Sequence, residues 1–237
     1  ITHQQLHHPN ILPFLGIYNE DAASHPLTIL PFIECGSLED VLASLSTNGL
    51  MKPPDFIQLL FGTSRGLIYL HSRMPPIIHG DLHPGNILIG EGGNPLLCDF
   101  GRSRIRHDTS RGLSNHKDLE GGRLRFLAPE FWHSQTNHFC INQDSDMFGL
   151  SMTYLNAWTC QPPFPEIKLD REVTAVLNTG QRPLEPVVAT PLSPEIRENF
   201  WKLLVDMWAH EAPKRPSSSQ ILERIEQMFG NCQSVSS

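Results

Sequence analysis

Three observations predict an α+β fold dominated by helices. Short apolar runs broken by proline and glycine fill the opening of the chain, helical periodicity takes over at residue 37, and strand-like runs return only briefly between 77 and 98. The 237 residues suffice for one large domain or two small ones. Hydrophobic residues at 39% and charged residues at 18% indicate a globular chain rather than a disordered one. Eighteen Lys and Arg against 25 Asp and Glu leave a net charge of −7, which argues against a protein that grips nucleic acid by bulk charge. No apolar run reaches the ~18 residues of a membrane span. The five cysteines are scattered, odd in number and without a CxxC pair. They suggest neither a disulfide framework nor a zinc site, so a reducing, cytoplasmic compartment is expected. The twelve histidines show no His-Glu-x-x-His spacing either. No signal peptide is visible. Ile1 falls inside what reads as an element, which suggests a longer protein.

The elements follow in order. Ile11–Ile17 and Leu27–Ile33 flank the polar stretch Asn19–Pro26 and read as a hairpin, with Pro13 demoting the first strand to an edge or a bulge. Ser37-Leu38-Glu39-Asp40 is a capping-box pattern that opens a short helix through Leu45. Phe56, Leu59, Leu60, Leu67 and Leu70 share one face of a longer helix. Gly62 and Gly66 weaken it by about 1 kcal/mol each relative to Ala unless close packing requires them. Ile77-Ile78, Ile87–Ile89 and Leu96–Cys98 read as short strands. Residues 100–125 have almost no apolar period and read as a long loop. Helices are expected at 144–159, 171–178, 194–208 and 216–229. The third opens on Ser193-Pro194, with a face of Ile196, Phe200, Leu203, Leu204 and Met207. The fourth carries Ile221, Leu222, Ile225 and Phe229. The polar tail Asn231–Ser237 is expected to fray.

One stretch carries chemistry: His79-Gly80-Asp81-Leu82-His83-Pro84-Gly85-Asn86-Ile87-Leu88-Ile89. Asp99-Phe100-Gly101 follows 13 residues after Asn86, and Ala128-Pro129-Glu130 centres 28 residues after Gly101. Each triplet alone is weak, but the ordered set resembles the large lobe of a eukaryotic protein kinase. Asp146 in its helix and Arg215-Pro216 after Trp208 extend the resemblance, as does His7-His8-Pro9-Asn10-Ile11, so it runs from Ile1 to about Gly230. It implies a protein-kinase-like fold with a mainly helical large lobe and a truncated small-lobe remnant. Residues 1–35 would form the remnant and hinge, 36–230 the large lobe and 231–237 a polar tail.

The resemblance also implies the site. Asp81 would orient an acceptor hydroxyl and take its proton, while Asn86 and Asp99 would hold Mg²⁺ ions bridging the phosphates of ATP, a role suited to hard oxygen ligands. His83 stands where related kinases carry a lysine near the γ-phosphate. It would either protonate near neutrality and partly substitute for that lysine, or be a plain loop histidine. Leu30 would be the gatekeeper, Pro31 and Ile33 would offer backbone groups to adenine, and Leu88 would pack under the ring. Asp146 would hold the loop backbone and Arg215 would pair with Glu130. The implied activity is ATP-dependent transfer to Ser or Thr of a protein substrate in signalling, with Tyr left open. Leu124–Glu130, Gly36-Ser37-Leu38 and the Asp146 helix look most like the tyrosine-kinase-like group of serine/threonine kinases, and His-Gly-Asp-Leu is similar to members of that group in fungi.

Several departures keep other readings open. The Gly-rich loop, strand lysine and helix glutamate of the family would precede Ile1. The two strands that are present would then expose an edge. Gly80 replaces the arginine that receives an activation-loop phosphate. Arg123 replaces the threonine that bridges the loop lysine and the catalytic carboxylate. A pseudokinase or scaffold module is therefore an alternative. The His-Gly-Asp-Leu-His-Pro-Gly-Asn stretch also resembles aminoglycoside- and choline-kinase-like small-molecule phosphotransferases, which lack Ala-Pro-Glu. Ser103, Thr109, Ser110 and Ser114 in the long loop are candidate phosphorylation sites.

Overall fold

The computed structural model describes residues 3–19, 27–45, 49–100, 104–105, 122–132, 141–187 and 192–230. Among the described residues, six short strands form three antiparallel pairs. β1 (Gly16–Tyr18) pairs with β2 (Leu27–Ile29), β3 (Ile77–Ile78) with β6 (Arg104–Ile105), and β4 (Ile87–Ile89) with β5 (Pro95–Leu97). Six helices make up the rest of the framework: α1 (Leu38–Leu45), α2 (Pro53–His71), α3 (Gln143–Thr159), α4 (Asp170–Asn178), α5 (Pro194–Met207) and α6 (Ser218–Phe229). Two strands open the chain, four more follow α2, and helices dominate, in keeping with the α+β fold that the sequence predicts.

The expected first strand is split. Ile11 bridges to Leu97 of β5, and the Leu12 N–H donates to the Leu97 carbonyl at 2.9 Å, whereas only Gly16–Tyr18 joins the hairpin ladder. Pro13 separates the two halves because it brings no N–H to a ladder. Ile17, Tyr18, Leu27 and Ile29 of the hairpin are exposed. Of the expected loop 100–125, residues 104–105 form β6 and 122–126 form a 3₁₀ turn. Ser103, Thr109, Ser110, Ser114 and the tail 231–237 lie outside the described residues.

Side-chain caps set the helix starts. The Ser37 N–H donates to Asp40 Oδ2 at 2.9 Å and the Asp40 N–H to Ser37 Oγ at 3.2 Å, a reciprocal closure of α1. Asn142 and Ser145 cap α3 in the same way. α6 starts two residues later than the sequence suggests, because Ser217 and Gln220 form its box and leave Pro216 outside. The core lies between α2, α3, α5 and α6. Phe200 meets the rings of Phe56 and Trp158 edge-on, each at 5.3 Å. The buried Tyr154 hydroxyl is satisfied by Thr63, Ser64 and the Leu60 carbonyl.

The glycines of α2 are explained by what presses on them. A Cβ at Gly62 would sit 2.4 Å from Pro95 Cγ and 2.7 Å from Asn10 Nδ2, and one at Gly66 would sit 2.9 Å from the Asn10 carbonyl. Helix propensity favours Ala by about 1 kcal/mol, but overpacking costs about 1–3 kcal/mol. Gly62→Ala is therefore expected to lower stability in urea denaturation by up to about 2 kcal/mol. Increased stability would show that the junction of α2 with β5 gives way freely.

Candidate active site

The loop between β3 and β4 hangs from α3. Asp146, 1% exposed, accepts from the His79 N–H at 2.9 Å, the Gly80 N–H at 2.8 Å and His71 Nε2 at 2.9 Å. Two backbone donors that the turn leaves outside any ladder are thereby satisfied by one carboxylate. Gly80 has φ of +77°, in the left-handed region where a side chain is strained, so its departure from arginine matches the local backbone.

Asp81 and Asn86 are both buried in this loop. Asn86 Nδ2 donates to the Asp81 carbonyl at 2.8 Å, which turns the amide oxygen the other way. The Asn86 carbonyl accepts from the Cys98 N–H at 3.0 Å, and His79 Nε2 donates to the Cys98 carbonyl at 3.0 Å. These two bonds stitch the segment carrying Asp99 to the loop carrying Asp81. Asp99 is exposed and has φ of +58°, a backbone state uncommon outside glycine and enriched at functional sites. The Phe100 ring lies against His3 and His79, at 4.8 and 5.4 Å.

His83 sits in the same loop. Its Nδ1 accepts the Gly85 N–H at 3.1 Å, so the ring carries its proton on Nε2 and is neutral. Nε2 is buried without a hydrogen-bond partner among the described residues. Burial pushes the imidazole down to about 4, opposed by the Asp81 carboxylate and reinforced by the Arg123 guanidinium. Of the two readings of His83, this environment favours the plain loop histidine over the protonated one. The cation beside the loop is Arg123, whose Nη1 lies 3.6 Å from Asp81 Oδ2. Burial, and then the Asp99 carboxylate, pushes the Cys98 thiol up to about 12, which disfavours the thiolate.

The expected nucleotide residues fall on two segments, residues 30–33 after β2 and Leu88 within β4. Leu30 is exposed, and Pro31 and Ile33 are half-buried. The Ile33 carbonyl accepts from the Gly36 N–H at 3.1 Å and closes a turn. Leu88, half-buried and opposite Leu96, bridges to Ser37, while the Ile89 N–H donates to the Gly36 carbonyl at 3.0 Å. Leu88 is therefore beside the segment that follows Ile33.

Two arginines brace the segment after the long loop. Arg215 Nη1 and Nη2 meet the Glu130 carboxylate at 2.6 and 2.9 Å. Arg125, 6% exposed, reaches Asp170 at 2.6 Å and the carbonyls of Pro163, Phe164 and Ile167 at 2.6–2.8 Å. Sequence reading singled out neither the Arg125 clamp nor His71. The one available signal was an arginine set directly before the apolar run Phe126-Leu127-Ala128.

Comparison with known proteins accords with this geometry. A family model described as protein kinase domain matches residues 1–225. Integrin-linked protein kinase 1 of Arabidopsis thaliana is 27% identical over 97% of this chain and 46% of its own length. Serine/threonine-protein kinase 12 of the same plant is 29% identical over 95% of this chain and 46% of its own. Serine/threonine-protein kinase TNNI3K of Rattus norvegicus is 26% identical over 98% of this chain and 26% of its own. The chain spans less than half the length of these relatives.

Proposed function

This chain belongs to the protein kinase domain family, with the expected α+β fold, and from that premise we propose that the whole protein transfers the terminal phosphoryl group of ATP to a serine or threonine hydroxyl of a protein substrate. The observation that carries the reading is the burial of Asp81 and Asn86 in one loop, stitched through Cys98 to Asp99. In this reading Asp81 orients the acceptor hydroxyl and takes its proton. Leu30, Pro31, Ile33 and Leu88 form the adenine side.

Asn86 and Asp99 suit Mg²⁺: one amide oxygen turned away from the Asp81 carbonyl and one exposed carboxylate, both hard donors. Among the described residues no group of three or more His, Cys, Asp or Glu forms a site of its own. That donor set fits an ion shared with phosphates and water rather than an all-protein cage. Bound there, the ion supplies charge neutralisation of the phosphate oxygens.

No helix among the described residues is long and apolar enough to cross a membrane. Cys35, Cys98 and Cys160 are free thiols, which accords with the proposed cytoplasmic setting. The Glu130–Arg215 pair, built on Ala-Pro-Glu, favours a protein kinase over a small-molecule phosphotransferase. A second reading, a scaffold without catalysis, is favoured by the Arg123 contact on Asp81 and the neutral His83.

The test is phosphoryl transfer from Mg–ATP to a generic protein substrate by the full-length protein. Turnover that Asp99→Asn lowers at least about 100-fold supports the kinase reading. A wild-type protein without turnover supports the scaffold.

A further inference from the structure

In the kinase reading, which this inference deepens, a polyanion must approach a buried carboxylate. Asp81 is 3% exposed, and a terminal phosphate brought beside it meets like charge in a poorly screened site. A cation is needed there. His83 is not that cation, because its Nδ1 is occupied as an acceptor of the Gly85 N–H and its ring is buried. Arg123 is placed for the task. Its guanidinium sits 3.6 Å from Asp81 Oδ2, which is an ion pair beyond hydrogen-bond reach, and its side chain is 35% exposed. That one contact engages one nitrogen of a group with five N–H donors. A planar fork of this kind pairs with phosphate oxygens two at a time.

The turn that presents Arg123 is also held rigidly. Gly122–Phe126 forms a 3₁₀ turn, and Arg125 within it is clamped by Asp170 and three carbonyls. A cation on a braced turn is oriented before the substrate arrives, which is how electrostatic stabilisation avoids reorganisation cost.

We infer that Arg123 holds the terminal phosphoryl group of the nucleoside triphosphate during transfer, supplying from the 122–126 turn the positive charge that the 79–86 loop lacks. The acceptor hydroxyl oxygen forms its bond to the terminal phosphorus as the bond from that phosphorus to the bridging oxygen breaks. The nucleoside diphosphate leaves with the electron pair, and the hydroxyl proton passes to Asp81. Arg123 contacts the transferred group throughout, and neither gains nor loses a proton.

The experiment compares full-length wild type with Arg123→Gln and Arg123→Lys, reading the affinities for Mg–ATP and Mg–ADP by calorimetry alongside steady-state transfer. ADP lacks the group that Arg123 holds, so its affinity should stay within about twofold in both variants and doubles as a fold control. In Arg123→Gln the preference for ATP over ADP should shrink about tenfold and kcat should fall about 100-fold. Arg123→Lys should recover part of both. An unchanged ATP-to-ADP ratio with unchanged kcat overturns the inference and leaves the kinase reading standing. A raised kcat overturns it too, and makes the guanidinium a lock on Asp81. A wild-type protein that binds neither nucleotide overturns the inference and the kinase reading together.

Discussion

Asp81→Asn in the full-length protein is expected to lower phosphoryl transfer by about 10²–10⁴-fold while leaving the affinity for Mg–ATP within about twofold. The substitution keeps the shape of a side chain that is 3% exposed. It also spares the bond that orders the loop, because Asn86 donates to the Asp81 backbone carbonyl and not to its carboxylate. It removes the proton acceptor and the negative partner of Arg123 at 3.6 Å. Transfer assays paired with nucleotide binding separate this outcome from unfolding, which would remove both. Transfer at the wild-type rate would sink the assignment of Asp81 as base.

Removing the Glu130 carboxylate should have the largest effect on stability. The Arg215 side chain is fully buried, and Glu130 neutralises it through two short contacts. Arg215 Nε and Nη1 also donate to the carbonyls of Ala209 and Asp144. A second guanidinium crowds the same place. Arg182 and Arg215 both lie over the Phe148 ring, at 5.4 and 5.2 Å, and Arg182 is pushed down to about 10 by burial and then by Arg215, with Glu130 opposing. Glu130→Ala leaves both cations without their shared counter-charge. One-sided loss of a buried pair costs about 3–5 kcal/mol, against a total stability of about 5–15 kcal/mol for a typical domain. Glu130 is itself 21% exposed, so water entering the gap places the expected loss near the lower end. Urea denaturation gives the figure, and the double variant Glu130→Met with Arg215→Met should lose less than the sum of its parts. Additive losses would mean that the pair is not coupled.

Much of this was legible because periodicity and capping are local. The apolar faces of α2 and α5, the Ser37–Asp40 closure and the Ser193 cap on Ile196 can all be read from neighbours in sequence. The loop residues Asp81 and Asn86 and the later Asp99 were legible as an ordered pattern. What escaped depends on contacts between distant residues. His71 meets Asp146 across 75 positions, and Arg125 meets carbonyls about 40 positions on. Backbone carbonyls have no sequence signature, so nothing marks them as partners. The charge on His83 escaped for a related reason: residue type supplies the titratable ring, but burial decides its state. The run Ile11–Ile17 was read as one strand because apolar spacing continues across Pro13, while hydrogen bonding does not.

The hairpin of β1 and β2 is pinned at both its roots. On the entry side the Leu12 N–H holds the Leu97 carbonyl, and the Leu97 N–H holds the Asn10 carbonyl; on the exit side the Ile89 N–H holds the Gly36 carbonyl. Between these pins and the hairpin bonding lie residues 13–14 and 30–35, since the Leu15 N–H already donates to the Ile29 carbonyl at 3.0 Å. The described hairpin strands bury no side chain in the core. Rotation of such a unit concentrates its φ/ψ change in the few residues next to the pins. A change in the tilt of the hairpin would therefore fall on the residues next to these pins, and the Asp146-anchored loop lies beyond them. Leu30 and Pro31 lie on the hairpin side of these pins and Leu88 on the other, so the tilt of one short hairpin sets how these residues stand to one another.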